Sequence, residues 1–174
     1  NKQYNQEERL SGITPAVHRV ARDKIYILSK NIHVYRPSTG VFTQIHALPG
    51  EVMPETLFPA YSDEAYLYGF SKNEVYAIDQ QTDKLKLLTT LGKGETITAL
   101  CCKGDGKLWI SSDWGLSVYD RTGDSLARIR TKLFNSVSYM LSDGPDRLWI
   151  CANNMLFSYD IGKEKFSVWD ESDG

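Results

Sequence analysis

The sequence predicts an all-β fold, a β-propeller of about four four-stranded antiparallel blades. Three observations predict it. A unit of 40 to 43 residues recurs along the chain. Each copy reads as four short strands divided by tight turns. Two anchor positions keep step through every copy.

The last two copies show the unit best. Gly106-Lys107-Leu108-Trp109-Ile110-Ser111 matches Asp146-Arg147-Leu148-Trp149-Ile150-Cys151. Leu116-Ser117-Val118-Tyr119-Asp120 matches Leu156-Phe157-Ser158-Tyr159-Asp160. Weaker copies precede them, with Tyr26 and Tyr68 at the indole position. The first anchor therefore runs Tyr26, Tyr68, Trp109, Trp149, with spacings of 42, 41 and 40. The second runs Tyr35, Ile78, Tyr119, Tyr159, with spacings of 43, 41 and 40. Tyr26, Tyr68, Trp109 and Trp149, with Tyr35, Tyr119 and Tyr159, are expected to be structural anchors that fill the wedge between blades. Flat aromatic rings suit that role.

Within copy three, Thr96 to Cys101 is the first strand and Gly104-Asp105-Gly106 a turn of hairpin type. Lys107 to Ser111 is the second strand, and Asp113-Trp114-Gly115 turns the chain. Leu116 to Asp120 is the third, Thr122-Gly123-Asp124 turns again, and Ser125 to Arg130 is the fourth. Strand-like alternation dominates, with no sustained helical period. The blades are placed at about 15–47, 55–90, 95–131 and 136–170 of a partial propeller covering 1–174.

Composition fits one well-buried unit. The chain has 174 residues, 41% hydrophobic and 11% aromatic, too many for disorder. Lys and Arg number 20 and Asp and Glu 22, a net charge of −2. That balance gives no electrostatic footprint for nucleic acid or an anionic membrane surface, so neither is expected as a partner of this segment. No apolar run is long enough to cross a membrane. The sequence opens at Asn1-Lys2-Gln3 without an initiator Met, and it is expected to be a piece of a longer chain.

The copies resemble the two-component regulator propeller repeat, whose pattern is a hydrophobic strand, Asp-x-x-Gly-x-Leu-Trp-Ile-Gly-Thr, then Gly-Leu-x-x-Tyr-Asp. Gly104 to Ser112 with Gly115 to Asp120 follows it, as does Asp143 to Ala152 with Leu156 to Asp160. Copies one and two depart from it, having Tyr for Trp and no Gly-Leu before the third strand. The resemblance implies a fragment of the periplasmic sensor region of a hybrid two-component histidine kinase. In that family two seven-bladed propellers precede an immunoglobulin-like domain, a membrane helix and the kinase. It implies an arc of a larger, seven-bladed propeller and a glycan-derived ligand. Nothing in the chain looks like a phospho-acceptor His region or a nucleotide-binding glycine box. The alternatives are a propeller enzyme acting on polysaccharide, a lyase or a glycosidase, and a protein-interaction propeller.

Alternating turns place candidate ligand residues on one face of the disc. The turns after second strands hold Lys30-Asn31, Lys72-Asn73, Asp113-Trp114 and Asn153-Asn154. The links after fourth strands add Phe134. Exposed aromatics offer a face to a sugar ring, and Asn, Asp and Lys bond hydroxyls or carboxylates. Expected partners are an oligosaccharide or other small ligand, further blades or domains of the parent, and a second copy through open end strands.

Other chemistry finds no motif. No catalytic residue, metal site or cofactor is expected. His18, His33 and His46 lack ligand spacing, and Cys101, Cys102 and Cys151 are expected to be buried free thiols. There is no Gly-x-Ser-x-Gly elbow. The carboxylates Glu51, Glu55, Asp63, Glu64, Asp83, Asp170, Glu171 and Asp173 are expected on the solvated surface.

Overall fold

A computed structural model describes residues 16–21, 23–28, 31–102, 105–129, 131–134, 137–144 and 146–169, with the backbone alone at 16–21. Lys30, Asp170, Glu171, Asp173 and the side chain of His18 lie outside that description.

The chain forms four sheets in sequence order. The first has β1 (Ala16–Ala21), β2 (Lys24–Leu28), β3 (Ile32–Arg36) and β4 (Val41–Gln44). The two-residue β5 (His46–Ala47) follows. The second has β6 (Phe58–Ser62), β7 (Tyr66–Ser71), β8 (Glu74–Asp79) and β9 (Lys84–Thr90). The third has β10 (Ile97–Cys102), β11 (Lys107–Ser112), β12 (Gly115–Asp120) and β13 (Ser125–Ile129). The fourth has β14 (Val137–Asp143), β15 (Arg147–Ala152), β16 (Met155–Asp160) and β17 (Lys165–Trp169). Each is an up-and-down antiparallel blade, and the inner strands β1, β6, β10 and β14 lie side by side. The expected propeller architecture is what the chain adopts. One strand was not foreseen: β5 leaves the first blade and pairs parallel with β9, on the outer edge of the second.

The aspartate repeated at the end of the third strand in the last three copies has a local cause. The Asp79 carboxylate accepts the amides of Gln81 and Thr82 at 2.8 and 2.9 Å, closing the turn into the outer strand. Asp120 does the same with Thr122 and Gly123, and Asp160 with Lys163. An aspartate is suited to this because its short side chain reaches its own backbone two residues on. These bonds hold the Asp79 and Asp120 carboxyls below their usual range, and Asp160 is lowered first by the Lys163 ammonium at 2.8 Å and then by the Lys163 amide. Each of these turns ends in a left-handed residue, Asp83, Asp124 or Glu164, where the first blade has Gly40.

Three apolar cores join consecutive blades. Tyr26, Leu28 and Val34 of the first meet Leu67, Tyr76 and Ile78 of the second. Tyr68 and Ala77 of the second meet Leu108, Ile110 and Tyr119 of the third. Trp109 and Leu116 of the third meet Ile150, Phe157 and Tyr159 of the fourth. The two anchor series are therefore the two halves of one interface. The first anchor faces the following blade, and the second faces the preceding one. Trp109 meets Tyr159 edge-on with ring centroids 5.8 Å apart.

The same rule corrects two expectations at the ends. Trp149 is only half-buried rather than packed between blades. No described blade follows it, and it rests on Trp169 with its indole N–H donated to Asp143 at 3.1 Å. Tyr35 is half-buried for the mirror reason, since no described blade precedes it. Cys151, expected to be buried, is exposed on the same open face as Trp149, where the third blade has the buried Ser111.

Candidate functional site

The turns after the second strands and the links after the fourth strands share one face, as antiparallel order requires. The structure divides the candidate residues on it into three groups.

Some are consumed by the backbone. Asn73 donates its amide to the carbonyls of Leu91 and Gly92 at 3.0 and 3.3 Å, tying its turn to the link toward the third blade. Asn153 donates to Leu133 O at 3.4 Å. Asn153 and Asn154 both have positive φ, 52° and 58°, and asparagine tolerates that conformation. The Asn153 amide is thus committed to the backbone, and the left-handed turn accounts for asparagine at both positions.

Some remain at the surface. Asn31 and Asn154 are exposed. Lys72 is exposed and faces Glu55 at 3.3 Å, a pair both of whose members stay solvated. Asp113 accepts the Thr96 amide at 2.8 Å and holds the link against the turn.

One is withdrawn altogether. Phe134 is 2% exposed and packs against Phe157 and Phe166, with centroids at 5.3 and 5.8 Å. It closes the base of the third core and has no face for a ligand. Burial of an aromatic side chain outweighs its place in a link.

Trp114 is the remaining aromatic, 56% exposed at the tip of the turn between β11 and β12. Its ring is held in place. A Cβ at position 92 would lie 3.0 Å from Cζ3 of the indole, so Gly92 lets the ring close onto the link. The Arg128 guanidinium lies 5.9 Å from the ring centroid, within cation–π range. Arg128 is held in turn by Glu95, Nη2 to Oε2 at 2.6 Å. The Glu95 side chain is completely buried and also accepts the Gly92 amide at 3.1 Å and the Ser112 hydroxyl. Burial pushes its carboxyl upward, but bonds from Arg128 and Ser112 and the Arg128 charge outweigh that and hold it below the usual range. The result is a fixed indole flanked by guanidinium donors, which suits the apolar face and hydroxyls of a ring-shaped ligand.

Sequence reasoning passed over Glu95 and Arg128, because they stand 33 residues apart in different elements. The only available signal was a lone carboxylate in the glycine-bearing link. It also misplaced Asp63 and Asp83, expected to be solvated. Asp83 is mostly buried and accepts from Tyr26 at 2.8 Å, from Lys24 at 2.9 Å and from Arg36. Asp63 accepts the Tyr68 hydroxyl at 2.8 Å, with Arg121 at 3.8 Å.

No family model matches the chain. No curated protein matches it either. Solved structures do. The extracellular domain assigned to the hybrid two-component system BT3049 of B. thetaiotaomicron superposes with a TM-score of 0.69 at 18% identity, over 94% of this chain and 25% of that one. The extracellular domain assigned to BT4673 of the same organism gives 0.62 at 22% identity, over 80% and 20%. The WD40 repeats of RRP9 give 0.69 at 14% identity, over 95% and 54%. At these identities the likeness is one of fold. This chain is a β-propeller. It spans a quarter or less of the length of the two B. thetaiotaomicron domains. No helix among the described residues is long and apolar enough to cross a membrane.

Proposed function

We propose that this chain is a non-catalytic ligand-recognition segment of an extracellular or periplasmic sensor in a two-component signalling protein. It forms part of a larger propeller whose further blades cover Tyr35 at one end and Trp149 at the other. The observation that carries the reading is the agreement of two likenesses. The Leu-Trp-Ile and Tyr-Asp repeats resemble a sensor repeat, and the fold is similar to extracellular domains assigned to two-component systems. The ligand is a glycan fragment seated on Trp114, with Arg128, Asp113 and Lys72 bonding its hydroxyls. Recognition then reaches the rest of the parent through the blade interfaces.

The test is a panel of oligosaccharides screened against the chain by thermal shift and tryptophan fluorescence. At least one member is expected to raise the melting temperature, and Trp114→Ala is expected to abolish that shift. A panel without any binder would overturn the glycan reading. Cleavage of a bound oligosaccharide would overturn the non-catalytic reading in favour of a propeller enzyme.

A further inference from the structure

The outer edges of the two interior blades differ. A sheet edge presents unpaired N–H and C=O groups, a template for another strand. On the second blade the chain itself occupies that edge, and on the third the edge is open.

The cover of the second blade comes from the link between β4 and β6, residues 45–57. β5 runs parallel to β9, with His46 opposite Lys84 and Ala47 opposite Leu85. The Leu48 N–H then donates to the Leu85 carbonyl at 3.0 Å. Pro49 and Gly50 turn the chain, Gly50 with a φ of 87° and the Glu51 N–H donated to the Leu48 carbonyl at 3.0 Å. This is the Pro-Gly arrangement of a type II turn. It brings the Glu51 carboxylate onto the Leu87 N–H at 2.7 Å. A short strand, a tight turn and an acid thus occupy a carbonyl and an amide of the β9 edge.

The third blade repeats this edge without its cover. Asp120 stands opposite Ser125 as Asp79 stands opposite Lys84, so Leu126 and Arg128 hold the register of Leu85 and Leu87. Backbone groups along an antiparallel strand alternate between facing their partner and facing away. The Leu126 carbonyl and the Arg128 N–H therefore point away from β12. β13 is the last strand of its sheet, and Leu126 is 40% exposed. The link from the second blade, 91–96, leads directly to β10 without the detour that 45–57 makes. Nor is the edge defended. Lysine and proline guard open edges, and Ser125–Ile129 has neither. Its one charge, Arg128, is drawn onto Glu95 and the Trp114 ring.

We infer that the β13 edge receives an extended segment of a partner protein, added as a parallel strand in the way β5 is added to β9. The segment carries a short strand, a tight turn and an acid three residues beyond the last paired amide, as Glu51 follows Leu48. Its backbone N–H donates to the Leu126 carbonyl. Its carboxylate accepts the Arg128 N–H, a charge-assisted bond. The seat is made of backbone and does not rest on the reading given to Trp114.

The probe is a synthetic peptide, Gln-Ile-His-Ala-Leu-Pro-Gly-Glu-Val, a copy of residues 44–52. Affinity is read by fluorescence anisotropy of the labelled peptide, and its place by amide exchange of the isotope-labelled chain in NMR. Binding is expected, with slowed exchange of the Arg128 amide. The Glu51→Gln peptide is expected to bind about tenfold more weakly. Methylating the peptide nitrogen at Leu48 is expected to abolish binding, and this arm leaves the protein itself unaltered. Leu126→Pro in the chain should abolish it too, since that residue's N–H faces outward and no ladder bond is lost. Its melting temperature checks the fold. Absence of binding, equal affinity of the methylated or Glu51→Gln peptide, or exchange altered in β4, β9 or β17 instead of at Arg128 would each overturn the proposal.

Discussion

The hydroxyl of Tyr26 in the first blade donates to the carboxylate of Asp83 in the second, across 2.8 Å and 57 residues of chain. Burial and this bond push the phenol well above its ordinary range, so it stays a donor at any physiological pH. Lys24 and Arg36 add their charges to the same carboxylate. Removing it strands two partly buried cations. Asp83→Ala is expected to cost about 3 kcal/mol, near the lower end for breaking a buried pair. Asp83→Asn, which tolerates the left-handed backbone there, should cost less. Urea denaturation of both variants checks the order.

The two tryptophan anchors should part company on truncation. Trp109 is 3% exposed between two blades, and Trp109→Ala is expected to cost about 3–5 kcal/mol. Trp149 covers only its own blade, and Trp149→Ala should cost about 1–2 kcal/mol, as less apolar area returns to water. Equal costs would mean that Trp149 is packed by something beyond the fourth blade.

Glu95 should make stability sensitive to acid. Its carboxyl binds a proton more weakly in the folded chain than its ordinary value of 4.5 allows. The stabilisation is therefore complete above that value and is lost as pH falls through the lower, folded one. Glu95→Gln has no such proton to take up. The gap in urea midpoint between the two proteins should be widest near neutrality and close as the pH drops below 4.5.

The outward face of the fourth blade carries Tyr139 and Leu141, 61% and 52% exposed, beside Leu156 and Trp169. Their counterparts on the third blade, Ala99 and Cys101, lie within a core. An apolar sheet face without a cover favours association. Sedimentation of the chain alone is expected to show self-association that Tyr139→Ser with Leu141→Lys reduces. A monomer at every concentration would show that this face is content in water.

Thiol titration should separate the cysteines. Cys101 is buried and its thiol is pushed up to about 12, chiefly by loss of water. Cys102 is buried too, and only Cys151 is exposed. One thiol per chain is expected to react with Ellman's reagent in buffer, and all three in denaturant.

Much of the fold is legible in the sequence because the blade is a local object. Strand period, tight turns and the turn-capping aspartates act within a dozen residues, and four copies repeat the message. Thus Tyr26, Tyr68, Trp109 and Trp149 occupy equivalent register positions, as their spacing requires. The candidate face was legible only as a list of turns. Asn73 and Asn153 proved to be committed to backbone carbonyls, and Phe134 to the core.

By itself, then, the sequence determined the blade, its register and its aromatic anchors. Tertiary structure decided which anchors meet. Trp109 packs on Tyr159 of the next copy because burying a blade face needs another blade. It also decided that Trp114 is braced by Arg128 and Glu95, and that Asp83 crosses a junction while Asp124 turns back. These are contacts between separate elements. They depend on how sheets stack, which no local pattern of residues encodes.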